Sequence, residues 1–527
     1  MNWSIEAEIL KLKDKIGISE RYAFISALMT GFLTHSFIFY NKISYADDSS
    51  HYFNLGSTYT SGRWGLGVIE KIKEGLGLQS YSSSLINGLG SIFLLALFAM
   101  LLVRLLDINK PLYAVLVGAY IVVFPTVTST FAYMFTAPYY FLSALLMILA
   151  AYQAGKSWWG IMCAAMFVCF GMGIYQAYFC LAATLFVMKL IVEAKDNTFV
   201  KNIQKAVRYF IALAMGLIGY FVANKFFLFI TETELGGYQG LNSMTNISLG
   251  CIMEGVVNAY KSLPQLKATD FVGISHTGLI QDMYHICFII TLVVAVVYLI
   301  LLYKKYDLWN ALYGTVLFAM APLAIGLIFV MTVSPGAYIH TLMIYSFVVI
   351  PIFPIMLVNV LEIECVKESL KCVFGWIKNA VIIVTFIMIL FYFRLDNLAY
   401  LKAEYQQENA QAYFTTVLSE IKGTDGYSDA YPVVFLGNLD GMDSSIKTPH
   451  EFNEIKLQGY HTNMNEFISY FAGVKFLRQH CGYAYEHPSD MREIYDSEYI
   501  RSMPCYPEDG AIQVIDEVVI VKFSNTY

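Results

Sequence analysis

The chain has 527 residues, of which 57% are hydrophobic and only 14% are charged. A soluble globular protein carries roughly 25% charged and about 45–50% apolar residues, so this composition indicates a polytopic membrane protein. The formal net charge of −6 argues against nucleic-acid binding, which needs a basic face, and we expect no nucleic acid among the partners.

Eleven apolar segments are long enough to cross a membrane, which takes about 20 residues in a helix. The charged stretch before the first of them, with Lys11, Lys13 and Lys15, predicts a helix on the cytoplasmic membrane surface rather than a cleaved signal peptide. No internal repeat and no low-complexity tract is present. The predicted spans are residues 21–40, 84–105, 110–126, 135–153, 157–172, 174–193, 207–231, 285–303, 309–331, 338–361 and 377–394.

The apolar stretch from 157 to 193 is the hardest to divide. It is too long for one span and too short for two spans joined by a long loop. We therefore predict a tight hairpin near Gly171-Met172-Gly173.

Basic residues gather in alternate short loops, on the same side as the basic N-terminal region. The positive-inside rule assigns that side to the cytoplasm. The loop at 41–83, the loop at 232–284 and everything after about residue 395 are then expected on the opposite side. The basic loop residues are Arg104, Lys110, Lys156, Lys195, Lys205, Lys304, Lys305, Lys367 and Lys371.

The chain changes character after Arg394. Residues 396–422 have the pattern of a helix, and residues 431–437 that of a buried strand. Residues 511–523 look like a strand, a turn and a second strand. Together these elements predict a small α/β domain of about 130 residues, which is large enough for its own core.

The predicted fold class is an all-α polytopic membrane bundle of about 11 transmembrane helices, with a small C-terminal extracytoplasmic α/β domain. The predicted domains are residues 1–394 and residues 395–527. No Cys-x-x-Cys or Cys/His metal spacing occurs among the nine cysteines. Cys481 and Cys505 could pair if their side is oxidising, and the sequence leaves this open.

Two adjacent carboxylates, Asp47 and Asp48, follow the first span in the run Tyr45-Ala46-Asp47-Asp48-Ser49-Ser50-His51. In the functional interpretation, one is the general base on an acceptor hydroxyl and the other orients it or binds a cation. Repulsion between the two can raise one pKa. In the alternative, both are solvated and cap the next helix. The membrane location and the nearby Arg63 favour function, and His51 becomes a candidate substrate contact.

Arg63 and Trp64 lie in a glycine-flanked turn, Ser61-Gly62-Arg63-Trp64-Gly65, before an amphipathic stretch. The planar fork of donors on arginine suits the phosphate of a lipid-linked donor, and Trp64 is a candidate substrate contact at the headgroup level. The alternative is an interfacial helix anchored by Trp64, with Arg63 snorkelling to the surface. The sequence leaves both interpretations open.

Three further candidates lie near the same face. Tyr175 and Gln176 are expected at the outer end of the predicted hairpin, as substrate contacts. Lys225 lies inside an apolar run and is a second candidate for the phosphate, because a lysine at membrane depth usually faces a cavity or a partner. Snorkelling of Lys225 to the interface is the equal alternative.

The last candidates flank the late spans. Tyr338 and His340 open the tenth predicted span, as a substrate contact and a phosphate contact respectively. A lone histidine is more often structural. Arg394, at the exit of the last span, is a candidate substrate contact, and the alternative is that it simply ends the helix.

Nucleotide-binding motifs are missing from the sequence. It contains neither Gly-x-x-x-x-Gly-Lys-Ser/Thr nor a dinucleotide-binding glycine fingerprint after a strand. Use of ATP or of a nucleotide sugar on the outer side is therefore unsupported. The one cofactor to consider is a divalent metal at Asp47 and Asp48, which is a weak site because two carboxylates lack further clustered ligands.

Several short motifs, taken in order, resemble those of the GtrII-type membrane glucosyltransferases, first known as serotype-converting enzymes that decorate O-antigen. The resemblance covers most of the chain in scattered pieces. Cys505 is a departure from the family pattern. The motifs are Tyr45-Ala46-Asp47-Asp48, Ser61-Gly62-Arg63-Trp64, Gly173-Ile174-Tyr175-Gln176-Ala177-Tyr178, Asp396-Asn397, Met503-Pro504-Cys505-Tyr506-Pro507 with Gly510, and Val518-Val519-Ile520-Val521-Lys522.

The resemblance implies a GT-C architecture in the bacterial inner membrane. Such enzymes transfer a sugar, here expected to be glucose, from a polyprenyl-phosphate carrier to a polysaccharide acceptor on the outer face. An acid in the first outer loop serves as base, a role that falls on Asp47 or Asp48, and Arg63 lies near the donor phosphate. The implied partners are the lipid bilayer, a donor-synthesising glycosyltransferase and a carrier flippase.

Two other functions fit a membrane protein of this kind. A lipid-carrier flippase or other transporter often has internal repeats, and this sequence has none. A polyprenyl-linked polysaccharide polymerase or ligase would have the same broad architecture. A polymerase would use a polyprenyl-diphosphate oligosaccharide, so the donor distinguishes it.

Overall fold

The computed structural model describes residues 15–43, 46–237, 248–264, 279–305, 307–332, 338–363, 371–437, 449–455, 457, 459–460, 476–483, 494 and 497–526. Most of these residues are α-helical. In chain order the α-helices are α1 (Ile18–Tyr40), α2 (Ala46–Ser50), α3 (Trp64–Gly75), α4 (Ser84–Leu105), α5 (Pro111–Val123), α6 (Pro125–Phe131), α7 (Ala137–Ala154), α8 (Trp158–Ile174), α9 (Phe179–Glu193), α10 (Phe199–Ile230), α11 (Leu249–Ser262), α12 (Leu279–Lys305), α13 (Leu308–Ile325), α14 (Ile328–Met331), α15 (Ile352–Ile363), α16 (Lys371–Gly423) and α17 (Glu498–Ser502).

Ten helical segments in the described part of the chain are long and apolar enough to cross a membrane, and each matches a predicted span. The remaining predicted span, 157–172, is α8, an apolar helix of 17 residues. The third span is broken at Pro125 into α5 and α6, because proline cannot donate the hydrogen bond that would continue the helix. The tenth begins as a 3₁₀ helix, Thr341–Val349, and continues as α15.

The predicted hairpin near Gly171 is confirmed. Helix α8 ends at Ile174, a 3₁₀ turn covers Gln176–Tyr178, and α9 begins at Phe179. The backbone N–H of Tyr175 donates to the carbonyl of Gly171 at 2.9 Å and closes the end of α8. This turn brings Tyr175 and Gln176 to the end of the bundle.

Small residues allow the spans to pack closely. Helix α1 lies against α4 and α5, and a Cβ added at Gly118 of α5 would lie 2.3 Å from the carbonyl oxygen of Ala23. Helix α8 lies against α7 and α10 through a similar approach of Gly216 to Val168. Such contacts favour helix association in membranes, where apolar burial offers little driving force between helices.

The two ends of the bundle differ in charge. Because successive spans run in opposite directions, the basic loops meet at one end, where Lys110 and Lys378 both bind Glu362. Lys189 also binds Asp107 there at 3.4 Å. The opposite end gathers the chain after α1, the α6–α7 turn and the α8–α9 hairpin. The aspartate pair and Arg63 therefore lie away from the basic loops.

The last span does not end at Arg394. The structure has one 53-residue helix, α16, where the sequence predicts a span and a separate helix. The stretch DNLAYLKAEYQQEN contains no glycine or proline to break it, and 53 residues extend about 80 Å at 1.5 Å per residue. The far turns of α16 place Phe414, Val417 and Ile421 in a second buried cluster.

That second cluster belongs to a small sheet in the C-terminal region. Its strands are β1 (Val433–Leu436), β2 (Ile512–Ile515) and β3 (Val518–Lys522), in the order β1–β3–β2. Strand β1 is parallel to β3, and β2 is antiparallel to it, so the strands predicted at 431–437 and 511–523 are confirmed. Cys481 and Cys505 both carry free thiols.

Candidate active site

The two adjacent aspartates of α2 face different surroundings. Asp47 is exposed and lines a cavity at this end of the bundle. Asp48 is 3% exposed, and its Oδ1 accepts a hydrogen bond of 3.0 Å from the backbone N–H of Phe135. The pair thus divides into one carboxylate that faces the cavity and one that ties α2 to the α6–α7 turn.

Burial changes the protonation of Asp48. Loss of solvent raises the pKa of this carboxyl to about 7, and the charge of Asp47 adds to the rise. The hydrogen bond from Phe135 acts in the opposite direction, because it stabilises the charged form. Near neutral pH, Asp48 is therefore divided between its neutral and charged forms.

A first prediction concerns the stability of Asp48→Asn. Asp48 binds its proton more tightly in the folded state, so its ionisation lowers stability as the pH rises from about 4 to about 7. Asparagine keeps an acceptor for the Phe135 N–H and carries no charge. We expect the variant to melt several degrees above the wild type at pH 8, which corresponds to at most about 4 kcal/mol, and with a smaller difference at pH 5. An equal difference in melting temperature at pH 8 and at pH 5 would contradict this prediction. The control variant is Asp425→Asn, which replaces an exposed aspartate.

Arg63 is held by a tight turn that two side chains from other helices support. Its backbone N–H donates to the carbonyl of Thr58 at 2.8 Å. The amide of Gln176 donates to the Ser61 carbonyl at 2.8 Å, and the Tyr220 hydroxyl donates to the Gly62 carbonyl at 3.0 Å. Gln176 therefore fixes the position of the Arg63 turn as well as lining the cavity.

Gly62 provides a test of how closely this turn must fit. Its φ is +69°, and an added Cβ would lie 2.7 Å from the Tyr220 hydroxyl and 2.8 Å from the Gln176 amide nitrogen. Gly77 has a similar φ of +73° with nothing within 4 Å, so Gly77→Ala carries the backbone strain alone. We expect Gly62→Ala to lower activity at least about tenfold more than Gly77→Ala, because the clash displaces Arg63. Equal activity of the two variants would show that the turn tolerates the displacement.

The guanidinium of Arg63 rests on an aromatic platform. Its central carbon lies 5.6 Å from the ring centre of Tyr175 and 5.9 Å from that of Tyr140. These two rings are stacked, with centres 4.2 Å apart. Cation–π contacts of this kind orient a guanidinium without neutralising it, so its charge acts on the cavity.

The cavity has a volume of about 370 Å³, within the range of small-ligand sites. It lies between the chain after α1, the α6–α7 turn, the α8–α9 hairpin and the start of the tenth span. Its walls combine one carboxylate, one guanidinium and several aromatic rings. The predicted site residues that line it are Asp47, His51, Arg63, Tyr175, Gln176 and His340.

Two of these residues have further contacts that fix them. His51 lies beside Phe135, with ring centres 4.9 Å apart, and its Nδ1 donates to the Asn54 side-chain oxygen at 2.7 Å. His340 is 7% exposed, and its ring lies 4.4 Å from that of Tyr338.

Besides Asp48, four predicted candidates lie outside the cavity lining. Trp64 is buried and stacked on Phe227, with ring centres 5.2 Å apart. Lys225, Tyr338 and Arg394 are exposed on the surface. The structure does not bring these four into the group formed by Asp47 and Arg63. The phosphate contact predicted for Lys225 and the substrate contacts predicted for the other three stay predictions.

Sequence reasoning missed part of the wall. The rings of Tyr140 and Tyr175 both contact the Arg63 guanidinium. The Tyr220 hydroxyl donates to the Gly62 carbonyl and so supports the Arg63 turn. Both lie within long apolar helices, where tyrosine gives no signal of function by itself. The further cavity residues that were not predicted include Thr60, Tyr133, Phe135, Thr332 and Met343.

A metal bound by both aspartates does not fit this geometry. Asp47 faces the cavity, whereas Asp48 is turned to the Phe135 N–H. The described residues contain no group of three or more His, Cys, Asp or Glu side chains that could hold an ion. Magnesium and calcium prefer several oxygen ligands, so this pair of carboxylates is a poor site for either ion.

The fold and cavity define a class: a multi-pass membrane protein with an acid and an arginine in one aromatic-walled site at an end of its bundle. The chain belongs to the glucosyl transferase GtrII family, whose model matches residues 36–351, more than half of the 527 residues. The predicted resemblance is thereby confirmed, and every residue that lines the cavity falls within the matched range. No curated protein and no solved structure matches the chain significantly.

Proposed function

We propose that this glucosyltransferase moves glucose from a polyprenyl-phosphate carrier to a cell-surface polysaccharide such as O-antigen, on the outer face of a bacterial plasma membrane. The observation that carries the proposal is that Asp47 and Arg63 line one cavity at the bundle end opposite the basic loops. The donor would come from a separate donor-synthesising glycosyltransferase and a carrier flippase.

The placement of the site follows from charge. Basic loops stay on the cytoplasmic side, which puts the N-terminus inside and the cavity on the extracytoplasmic side. The C-terminal region, reached through α16, lies on the cavity side as well. A lipid-linked donor agrees with the absence of a nucleotide-binding motif from the sequence.

Asp47 is the proposed general base. Its carboxylate takes the proton of the acceptor hydroxyl as the hydroxyl oxygen attacks the anomeric carbon of glucose. The bond from that carbon to the phosphate oxygen breaks, and its electron pair leaves with the polyprenyl phosphate. One such displacement inverts the anomeric configuration.

Arg63 is the proposed partner of the leaving group. Negative charge grows on the phosphate oxygens as the bond breaks, and a preoriented guanidinium stabilises that charge more than it stabilises the ground state. The platform of Tyr140 and Tyr175 fixes the guanidinium before the donor arrives. Aromatic rings in the same wall suit the apolar face of a sugar.

The proposal is tested by glucose transfer in membrane vesicles with the outer face exposed. Labelled polyprenyl-phosphate glucose, UDP-glucose and a polyprenyl-diphosphate oligosaccharide are supplied separately, each with purified acceptor polysaccharide. We expect label in the polymer only with polyprenyl-phosphate glucose. Chain extension from the diphosphate donor would indicate a polymerase or ligase, and movement of the lipid without transfer would indicate a flippase.

A further inference from the structure

Asn54 orients the ring of His51 at the edge of the cavity. Its side-chain oxygen lies 2.9 Å from the backbone nitrogen of Gly56 and 2.7 Å from Nδ1 of His51. Since a backbone N–H only donates, the Asn54 atom that both nitrogens contact is the acceptor oxygen. Nδ1 of His51 must therefore carry a hydrogen and donate it to Asn54. In the neutral ring, Nε2 is then the nitrogen without a hydrogen, and it can only accept.

The Nε2 nitrogen of His51 borders the cavity. His51 and Gly56 both line it, and a Cβ added at Gly56 would lie 3.4 Å from Nε2 and from Cδ2 of His51. Because glycine has no side chain, this edge of the ring stays uncovered. Among the residues that the structure describes, none forms a hydrogen bond with Nε2. The cavity wall therefore offers a hydrogen-bond acceptor to a ligand at this point.

Phe135 fixes the position of His51 relative to the acid pair. Its ring centre lies 4.9 Å from that of His51, and its backbone N–H donates to the Asp48 carboxyl at 3.0 Å. The backbone N–H of His51 in turn donates to the Asp48 carbonyl at 3.1 Å and closes the last turn of α2. Asp47 and His51 are four positions apart, a spacing that places side chains on one face of a helical turn, and both line the cavity. His51 therefore belongs to the same wall as the proposed base.

A sugar hydroxyl suits this acceptor, whereas a phosphate does not. The oxygens of a phosphodiester carry negative charge and no hydrogen, so they would face the lone pair of Nε2. A hydroxyl donates its hydrogen to Nε2, and the adjacent ring of Phe135 suits the apolar face of a sugar. A site that hydrogen-bonds a substrate hydroxyl also discriminates against analogues that lack it. The two ends of the site thus differ, with Arg63 suited to the phosphate and His51 to a sugar.

We propose that Nε2 of His51 accepts a hydrogen bond from a sugar hydroxyl in the cavity, on the donor glucose or on the acceptor, and that Asn54 is the positioning residue that keeps this nitrogen free of hydrogen. The inference rests on the proposed function and deepens it, because it assigns a group that selects the sugar. Asn54 is not among the described residues that line the cavity, so it acts through His51.

The first test compares His51→Phe, which keeps a ring beside Phe135 but has no acceptor, with His450→Phe, which replaces an exposed histidine. We expect His51→Phe to lower kcat/KM about tenfold, the size of one lost hydrogen bond, and His450→Phe to match the wild type. Asn54→Ala should lower the activity of the wild type but cause no further loss in His51→Phe. Wild-type activity of His51→Phe would overturn the role of His51, and a further loss in the double variant would overturn that of Asn54.

Deoxy analogues identify the sugar that His51 contacts. Polyprenyl-phosphate donors with each singly deoxygenated glucose are compared with glucose, and then singly deoxygenated acceptor saccharides with the natural acceptor. We expect one analogue to lower the kcat/KM of the wild type about tenfold and to be used equally well by the wild type and His51→Phe, because one partner of the bond is missing in each case. A donor analogue would assign the bond to glucose, and an acceptor analogue to the polymer. A constant ratio between the two enzymes across all analogues would overturn the proposal.

A third measurement does not depend on turnover. Diethyl pyrocarbonate modifies an imidazole nitrogen that carries no hydrogen, and mass spectrometry locates the modified residue. We expect polyprenyl-phosphate glucose or the acceptor saccharide to slow modification of His51 several-fold in the wild type, and polyprenyl phosphate alone to leave it unchanged, with exposed His450 as the internal control. Protection by polyprenyl phosphate alone, or by neither sugar, would overturn the proposal. A wild type in which a sugar protects His51 but no glucose is transferred would refute the proposed function alone.

Discussion

Replacement of Asp47 by asparagine is expected to reduce glucose transfer by at least about a hundredfold, the loss typical of a removed general base. Asparagine has nearly the same shape but cannot take the acceptor proton. Since Asp47 is exposed to the cavity, the change should not disturb folding. Labelled transfer in membranes at matched protein levels measures the effect.

Two matched variants make the result specific. Asp48→Asn keeps the acceptor for the Phe135 N–H and should retain activity within about tenfold of the wild type, because Asp48 is turned away from the cavity and orients α2 rather than meeting the substrate. Glu74→Gln removes an exposed acid of α3 that binds Lys71 and should have no effect. A larger loss in Asp48→Asn than in Asp47→Asn would reverse the two assignments.

Replacement of Arg63 by alanine is expected to lower kcat about 10²- to 10³-fold, the range seen when one preoriented donor to a developing anion is removed. Arg63→Lys keeps the charge but loses the planar fork and its fit over Tyr140 and Tyr175. We expect that variant to lie between alanine and the wild type. Steady-state kinetics with polyprenyl-phosphate glucose give both values.

Chemical rescue separates the charge of Arg63 from a role in folding. Methylguanidine added to Arg63→Ala should restore part of the activity, because the cavity left beside the stacked tyrosines accepts a free guanidinium. The control is Lys71→Ala, which removes an exposed cation of α3 and should behave as the wild type. A wild-type kcat in Arg63→Ala would show that Arg63 takes no part in the reaction.

The sequence identified the acid pair as a candidate site, but it could not tell which of the two aspartates faces the cavity. Its place directly after a span identified Asp47 and Asp48 as candidates. Successive residues of a helix point about 100° apart, so only one of the two can face a given cavity. Which one does so depends on where Phe135 lies, and Phe135 is 87 positions from Asp48 in the chain.

The residues around Arg63 show the same limit. The sequence shows a glycine-flanked turn, and only the structure shows that Tyr220 and Gln176 lie against Gly62. Trp64 had the pattern of an interfacial anchor but is buried on Phe227, because α10 covers it. A side chain at a helix edge has no fixed environment until the neighbouring helix is in place.

The sequence by itself determined ten of the eleven predicted membrane spans and their order, the hairpin near Gly171, the separation of basic loops from the acid pair, and the strands of the C-terminal sheet. These properties follow from local hydrophobic length, charge and residue preference. Only the tertiary structure decided that Asp47 faces the cavity, that the rings of Tyr140 and Tyr175 contact the Arg63 guanidinium, and that Gln176 and Tyr220 hold the Arg63 turn. Each of these depends on contacts between distant segments, which are fixed by packing and leave no local pattern in the chain.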